Sequence, residues 1–171
     1  AQAVGGMDRL PLGVRGEVLG PLVMDTMASV RIGAARLLAG APGLSEEIAA
    51  GLTTATAEYT ALQLATGDQP EAHLNLALLH AAEGDLAEAE AAYRTAIARD
   101  AWFIPARVNL ANLLNFQGRN REAEHLLLEA IGLAPNEGEL HYSMGLLLAE
   151  ASRLAEAVVY MKRATELMSL R

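Results

Sequence analysis

Over residues 70–171 the apolar positions recur with a period of about 34 residues, a length typical of stacked helical repeats. Leu76, Leu110 and Met144 share one place, followed at once by the small residues Ala77, Ala111 and Gly145. Gly84, Gly118 and Ser152 share another, and Ala89, Ala123 and Ala157 follow in step. Tyr93, Leu127 and Met161 come next, then Ala96, Ala130 and Ala164. On each side of the Gly or Ser lies an apolar-periodic segment of about a dozen residues, the length and period of a short helix. Each unit therefore reads as two antiparallel helices joined by a tight turn, with Pro135 able to stop the second helix of its unit. Ala or Gly at the recurring small positions lets two helix backbones approach, while the large residue beside it fills the next layer. One helix pair cannot cover its own apolar faces, so consecutive pairs must stack. The expected units are 70–103, 104–137 and 138–171.

The segment 1–69 is not expected to follow this register. Two short helices are predicted over 13–24 and 28–39, separated by Asp25-Thr26-Met27. Gly40-Ala41-Pro42-Gly43 breaks the chain, after which Ser45 supplies a hydroxyl cap and Glu46 and Glu47 meet the positive end of a helix dipole. That long helix is expected to reach about Thr66, to stop at Gly67 and to cap the array.

Composition narrows the fold to all-α: the chain is 52% hydrophobic but only 4% aromatic, and 34 of its residues are Ala, the best helix former. The net charge of −8, with no cationic cluster, argues against nucleic acid, which needs clustered Lys and Arg to release counterions. The absence of Cys removes disulfides, thiolate metal sites and the C-x-x-C-H haem attachment. The longest charge-free stretches, 72–82 and 108–118, are short of the roughly eighteen residues of a membrane span, so no membrane insertion is expected. The chain opens Ala-Gln-Ala-Val-Gly-Gly without Met, which suggests a piece of a longer protein.

Candidate chemistry is sparse. His73 and His80 lie about 10 Å apart along one helix, too far to share a metal. Glu88, Glu122 and Glu156 recur in every unit near the start of the second helix, where a carboxylate meets the dipole, so they read as structural rather than catalytic. No phosphate loop, nucleophile elbow or dinucleotide fingerprint is present. No catalytic residue, metal or cofactor is expected.

Asn carries the better signal. Asn75 and Asn109 stand one unit apart in the shared text LNLA and VNLA, and Asn112 and Phe116 follow at spacings that keep them on one stripe. This stripe is displaced from Leu110, Ala111 and Leu114, so the first helix of the unit specifies a second face. A carboxamide offers a donor and an acceptor to any peptide group. Leu74, Val108 and Tyr142, equivalent in the three units, would add apolar contact. Ser143 replaces Asn in the third unit.

The register positions, from Leu76-Ala77 through Gly84 to Ala89, Tyr93 and Ala96, resemble the tetratricopeptide repeat, and the likeness spans all three units. The early Trp of that consensus is absent, with His73, Arg107 and His141 in its place. The resemblance implies a right-handed superhelical array of antiparallel helix pairs with an N-terminal helical extension. It also implies a non-catalytic scaffold that holds an extended peptide or partner domain in a concave groove, lined here by Asn75, Asn109, Asn112, Phe116, Leu74, Val108 and Tyr142. With few cations on that face, the expected ligand is uncharged or mildly basic. PLVMDTMASVRIGAARLLAG (21–40) resembles a HEAT-type repeat through Asp25, Val30 and Arg31. The order of segments is also similar to the C-terminal part of some periplasmic multihaem cytochromes, which implies as an alternative an accessory module of a larger electron-transfer protein. Periplasm would follow from that alternative and cytoplasm otherwise. Leu167, Met168 and Leu170 offer an apolar face for a homo-oligomer through the last helix.

Overall fold

The computed structural model describes residues 11–169, and every regular element among them is helical. The first is α1 (Leu12–Leu19), which tightens into a 3-10 segment at Gly20–Met24. The periodicity predicts one helix over 13–24. Pro21 has no N–H to donate to the Glu17 carbonyl, so the α ladder loses a rung and the chain winds more tightly. Next come α2 (Ala28–Leu38) and α3 (Glu46–Ala65). Ser45 Oγ accepts the Ile48 N–H at 3.3 Å, and Thr66 closes the helix.

Asp25 and Arg31 tie these pieces together. Asp25 Oδ1 accepts the Met27 N–H at 2.8 Å and shapes the turn before α2. Arg31 donates to the carbonyls of Asp25 and Thr26 at 2.7 and 3.1 Å, and its Nε and Nη2 fork onto Glu58 of α3 at 3.0 and 2.7 Å. A bidentate Arg–carboxylate pair fixes orientation as well as distance. Leu19, Val23, Ala34, Ala35, Leu38 and Ala55 form the core beneath.

Six further helices follow: α4 (Pro70–Glu83), α5 (Leu86–Arg99), α6 (Ile104–Phe116), α7 (Asn120–Leu133), α8 (Gly138–Glu150) and α9 (Leu154–Met168). By compactness the chain divides within α5, one unit ending at Ala89 and the other beginning at Glu90. In the second unit Leu110, Leu114, Leu127, Leu140, Met144 and Leu148 are fully buried and fill the layers between the small register positions. Ala111, Ala123, Ala130, Ala157 and Ala164 are buried too, as close backbone approach requires.

The register also reaches one helix earlier than the sequence pattern suggested. Ala55 and Tyr59 stand one full period before Ala89 and Tyr93, and all four are buried. The turn position in that stretch is Ala50, which lies inside α3. Without a Gly to break the helix, the repeat there is masked.

The three turns have one backbone solution. Gly84, Gly118 and Ser152 adopt φ of 89°, 76° and 60°, left-handed caps that let the chain reverse after one residue. Ser152 is the one non-Gly residue with positive φ among those described. Gly40, at φ 71°, is constrained by space as well, because a Cβ there would fall 1.9 Å from the Ala82 carbonyl oxygen.

Two substitutions follow, both read by chemical denaturation. Ser152→Gly is expected to stabilise the protein by about 1 kcal/mol, since Gly enters the left-handed region without strain. Gly40→Ala is expected to cost about 2–3 kcal/mol, because φ and a backbone clash act together.

Candidate interaction surface

An arginine clamp recurs at the start of the second helix of each pair in the Glu90–Arg171 unit. Arg119 forks onto Glu122 with two bonds of 2.7 Å and reaches Glu90 of α5 at 2.7 Å. Arg153 forks onto Glu156 at 2.7 and 2.6 Å and reaches Glu124 of α7 at 2.6 Å. The offsets, three residues forward and twenty-nine back, are the same in both. The glutamates assigned to the helix dipole thus also hold the arginine that crosses to the previous pair. Hydrogen bonds from Arg119 and Arg153 hold the Glu122 and Glu156 carboxyls below the usual carboxylate range. Burial pushes Glu90 up, but Arg119 and Arg94 outweigh it and leave that carboxyl lowered.

The residues in the place of the missing Trp also share one task. His73 Nε2 bonds the Gly67 carbonyl at 2.8 Å, and His141 Nε2 bonds that of Pro135 at 2.9 Å. Arg107 donates to the Ala101 carbonyl at 3.3 and 3.0 Å. In each case the acceptor lies six residues earlier, so the side chain pins the link that precedes its helix. Neither His73 nor His141 is paired with His80. Among the described residues His80, Glu83 and Asp85 have ligand-capable atoms within 4.8 Å of one another. They sit at the C-terminal end of α4, and burial pushes the Glu83 carboxyl up. Both carboxylates are exposed, an arrangement common without an ion.

The Asn positions divide by environment. Asn75 is engaged: its Nδ2 donates to Gln63 Oε1 at 2.9 Å, beside a small cleft of about 110 Å³ that Tyr59 and Leu79 also line. Leu74 beside it is half-buried. Asn109 and Val108 line a cleft of about 380 Å³ between α6 and α8, with Leu140, Ser143, Glu137 and Glu139. Ser143 Oγ donates to the Glu139 carbonyl at 2.9 Å, so its hydrogen is spent on its own helix. Among the described residues the carboxamides of Asn109 and Asn112 have no hydrogen-bond partner. Asn112 is exposed, Phe116 is 79% exposed and Tyr142 is 46% exposed. Asn115, which the stripe reasoning passed over, donates to Glu150 and ties the ends of α6 and α8. Its position carries Ala81 and Ala149 in the other units, so no recurrence marked it.

Two models of the tetratricopeptide repeat match the chain, over residues 46–102 and 80–147. It belongs to the tetratricopeptide-repeat family. The first of these matches opens at the head of α3, in keeping with the register carried by Ala55 and Tyr59. Solved structures with the same fold include a crystal structure of MamA at 17% identity and a TM-score of 0.60, covering 92% of this chain and 86% of that one. A second MamA crystal structure aligns at 19% identity and a TM-score of 0.61, over 92% and 93% of the two chains. MamA of MSR-1 aligns at 18% and 0.58, over 92% and 97%. None of the curated protein sequences matches this one. Tetratricopeptide repeats are protein-interaction scaffolds, and the family match gives this chain a protein-interaction role.

The clamp makes a pH prediction. Glu90, Glu122 and Glu156 are lowered from the ordinary value of 4.5, so their contribution to stability is present above that pH and lost as pH falls through the folded values. Arg153→Gln is expected to lower the thermal midpoint at neutral pH. The gap from wild type should narrow as pH falls below 4.5 and close once the Glu156 carboxyl protonates in the folded protein.

Proposed function

We propose that the face of α6 and α8 binds an extended, uncharged or mildly basic segment of a partner protein. The observation that carries this reading is the Asn109 carboxamide, unpartnered among the described residues in the 380 Å³ cleft beside Val108. It is free to donate to and accept from a peptide backbone, while Glu137 and Glu139 at the rim disfavour an acidic ligand. Asn112 continues the stripe, and Phe116 and Tyr142 supply exposed aromatic surface of the kind that anchors partners. Leu74 and Asn75 offer the same chemistry on α4, with Asn75 keeping its carbonyl oxygen available beside Gln63. Binding to a peptide array is expected to weaken at least tenfold in Asn109→Ala/Asn112→Ala, the loss of two hydrogen bonds of about 1 kcal/mol each. Unchanged binding removes this reading.

A second surface favours self-association. α9 exposes Leu154, Val158 and Val159, where α7 carries Asn120, Glu124 and His125 in the same places. Leu167, which the sequence put on this contact, is instead buried near Gly138 of α8, and Leu170 lies outside the described residues. The exposure of Leu154, Val158 and Val159 supports a contact through the first half of α9, with Met168 exposed at its far end. Sedimentation velocity at rising concentration is expected to reveal a dimer that Val158→Glu returns to monomer. A monomer at every concentration removes the contact.

A further inference from the structure

A cleft of about 660 Å³ opens between α5 and α7, floored by α6. Arg107 and Leu110 form the floor, on a different stripe of α6 from Asn109 and Asn112, so this is a separate surface. Ile97, Ala98 and Leu126 make its walls apolar. Arg94, Arg121 and His125 bring positive or protonatable groups to it, in a chain whose net charge is −8.

We propose that this cleft docks a partner segment carrying a carboxylate among apolar side chains. Its cations are not all spent on the fold. Arg94 pairs with Glu90, and Arg107 with Glu129 at 2.6 Å. Glu122 is already forked onto Arg119, and His125 meets Glu129 at 3.3 Å. Arg121 is exposed and has no partner among the described residues, which leaves one whole positive charge at the mouth of an apolar space. A guanidinium in that position offers a forked pair of donors that suits a carboxylate.

The neighbouring repeats set this cleft apart. One unit later, the places of Arg94, Arg121 and His125 hold Leu128, Ala155 and Val159, and one unit earlier Arg121 and His125 give way to Ala87 and Ala91. Stacking of repeats therefore does not require these cations. The place of Leu126 is taken by Tyr160, whose ring stacks on His141, the counterpart of Arg107, with centroids 6.0 Å apart. The later unit puts an aromatic ring where this one puts a smaller Leu beside open, cation-rimmed space. The volume is that of a pocket for a few side chains.

The test titrates the full chain, followed by ¹⁵N NMR, with the blocked peptide Leu-Glu-Leu-Leu-Glu-Leu and its Gln-for-Glu counterpart. Saturable shifts are expected along α5 and α7, with the Gln peptide and the Arg121→Glu variant each weakening binding at least tenfold. Leu126→Tyr, which copies the next repeat, is expected to abolish binding while circular dichroism stays unchanged. Asn109→Ala/Asn112→Ala should leave it intact, which separates this result from the fate of the α6–α8 reading. Absence of saturable shifts, equal affinity for the Gln peptide, or wild-type binding by Arg121→Glu overturns the proposal.

Discussion

Two helix backbones can pack closely only where neither carries a side chain much larger than a methyl, and the buried alanines are where this chain meets that condition. Ala111, Ala123, Ala130, Ala157 and Ala164 are all nearly inaccessible, and Gly145 sits so close to α9 that a Cβ there would meet Met161 at 2.8 Å. Interaxial distance in helix packing is governed by such contact residues. Once it is set, the large neighbours Leu110, Leu127, Met144 and Leu148 have a defined space to fill. Every surface the protein presents depends on that spacing, because it fixes which stripe of each helix is left outside.

Polar groups then fix the register within that packing. Arg119 and Arg153 each join the head of one helix to the helix of the preceding pair, and His73, Arg107 and His141 each pin the incoming link. Exposed ion pairs contribute little to stability individually. Their value lies in geometry: a forked arginine accepts one orientation of its partner, so a slipped pairing loses both bonds.

The turns were legible because only Gly, or a strained Ser152, suits a left-handed cap, and the alanine register because close packing allows no substitute. The register carried into α3 was not, because Ala50 leaves that helix unbroken and no turn marks the period there. The Asn stripe was found, but its chemical state was not. Gln63, which occupies Asn75, stands outside any recurring position, and the hydroxyl of Ser143 turns back on its own helix. The arginine clamp is written as GRNRE and SRLAE, but local spacing points only to the glutamates, because the arginine's second partner lies twenty-nine residues earlier, in the preceding pair. The α5–α7 cleft was hidden for the opposite reason: its arginines do not recur.

The clamp has a direction. Each arginine reaches back to a carboxylate on the second helix of the preceding pair, so a unit offers a donor on one side and an acceptor on the other. Asp85 occupies the donor's place in the first unit and Val158 the acceptor's in the last. The clamp is thus confined to the two junctions made by Arg119 and Arg153: the acid at the first place has no proton to donate across the groove, and the valine at the last has no charge to receive one.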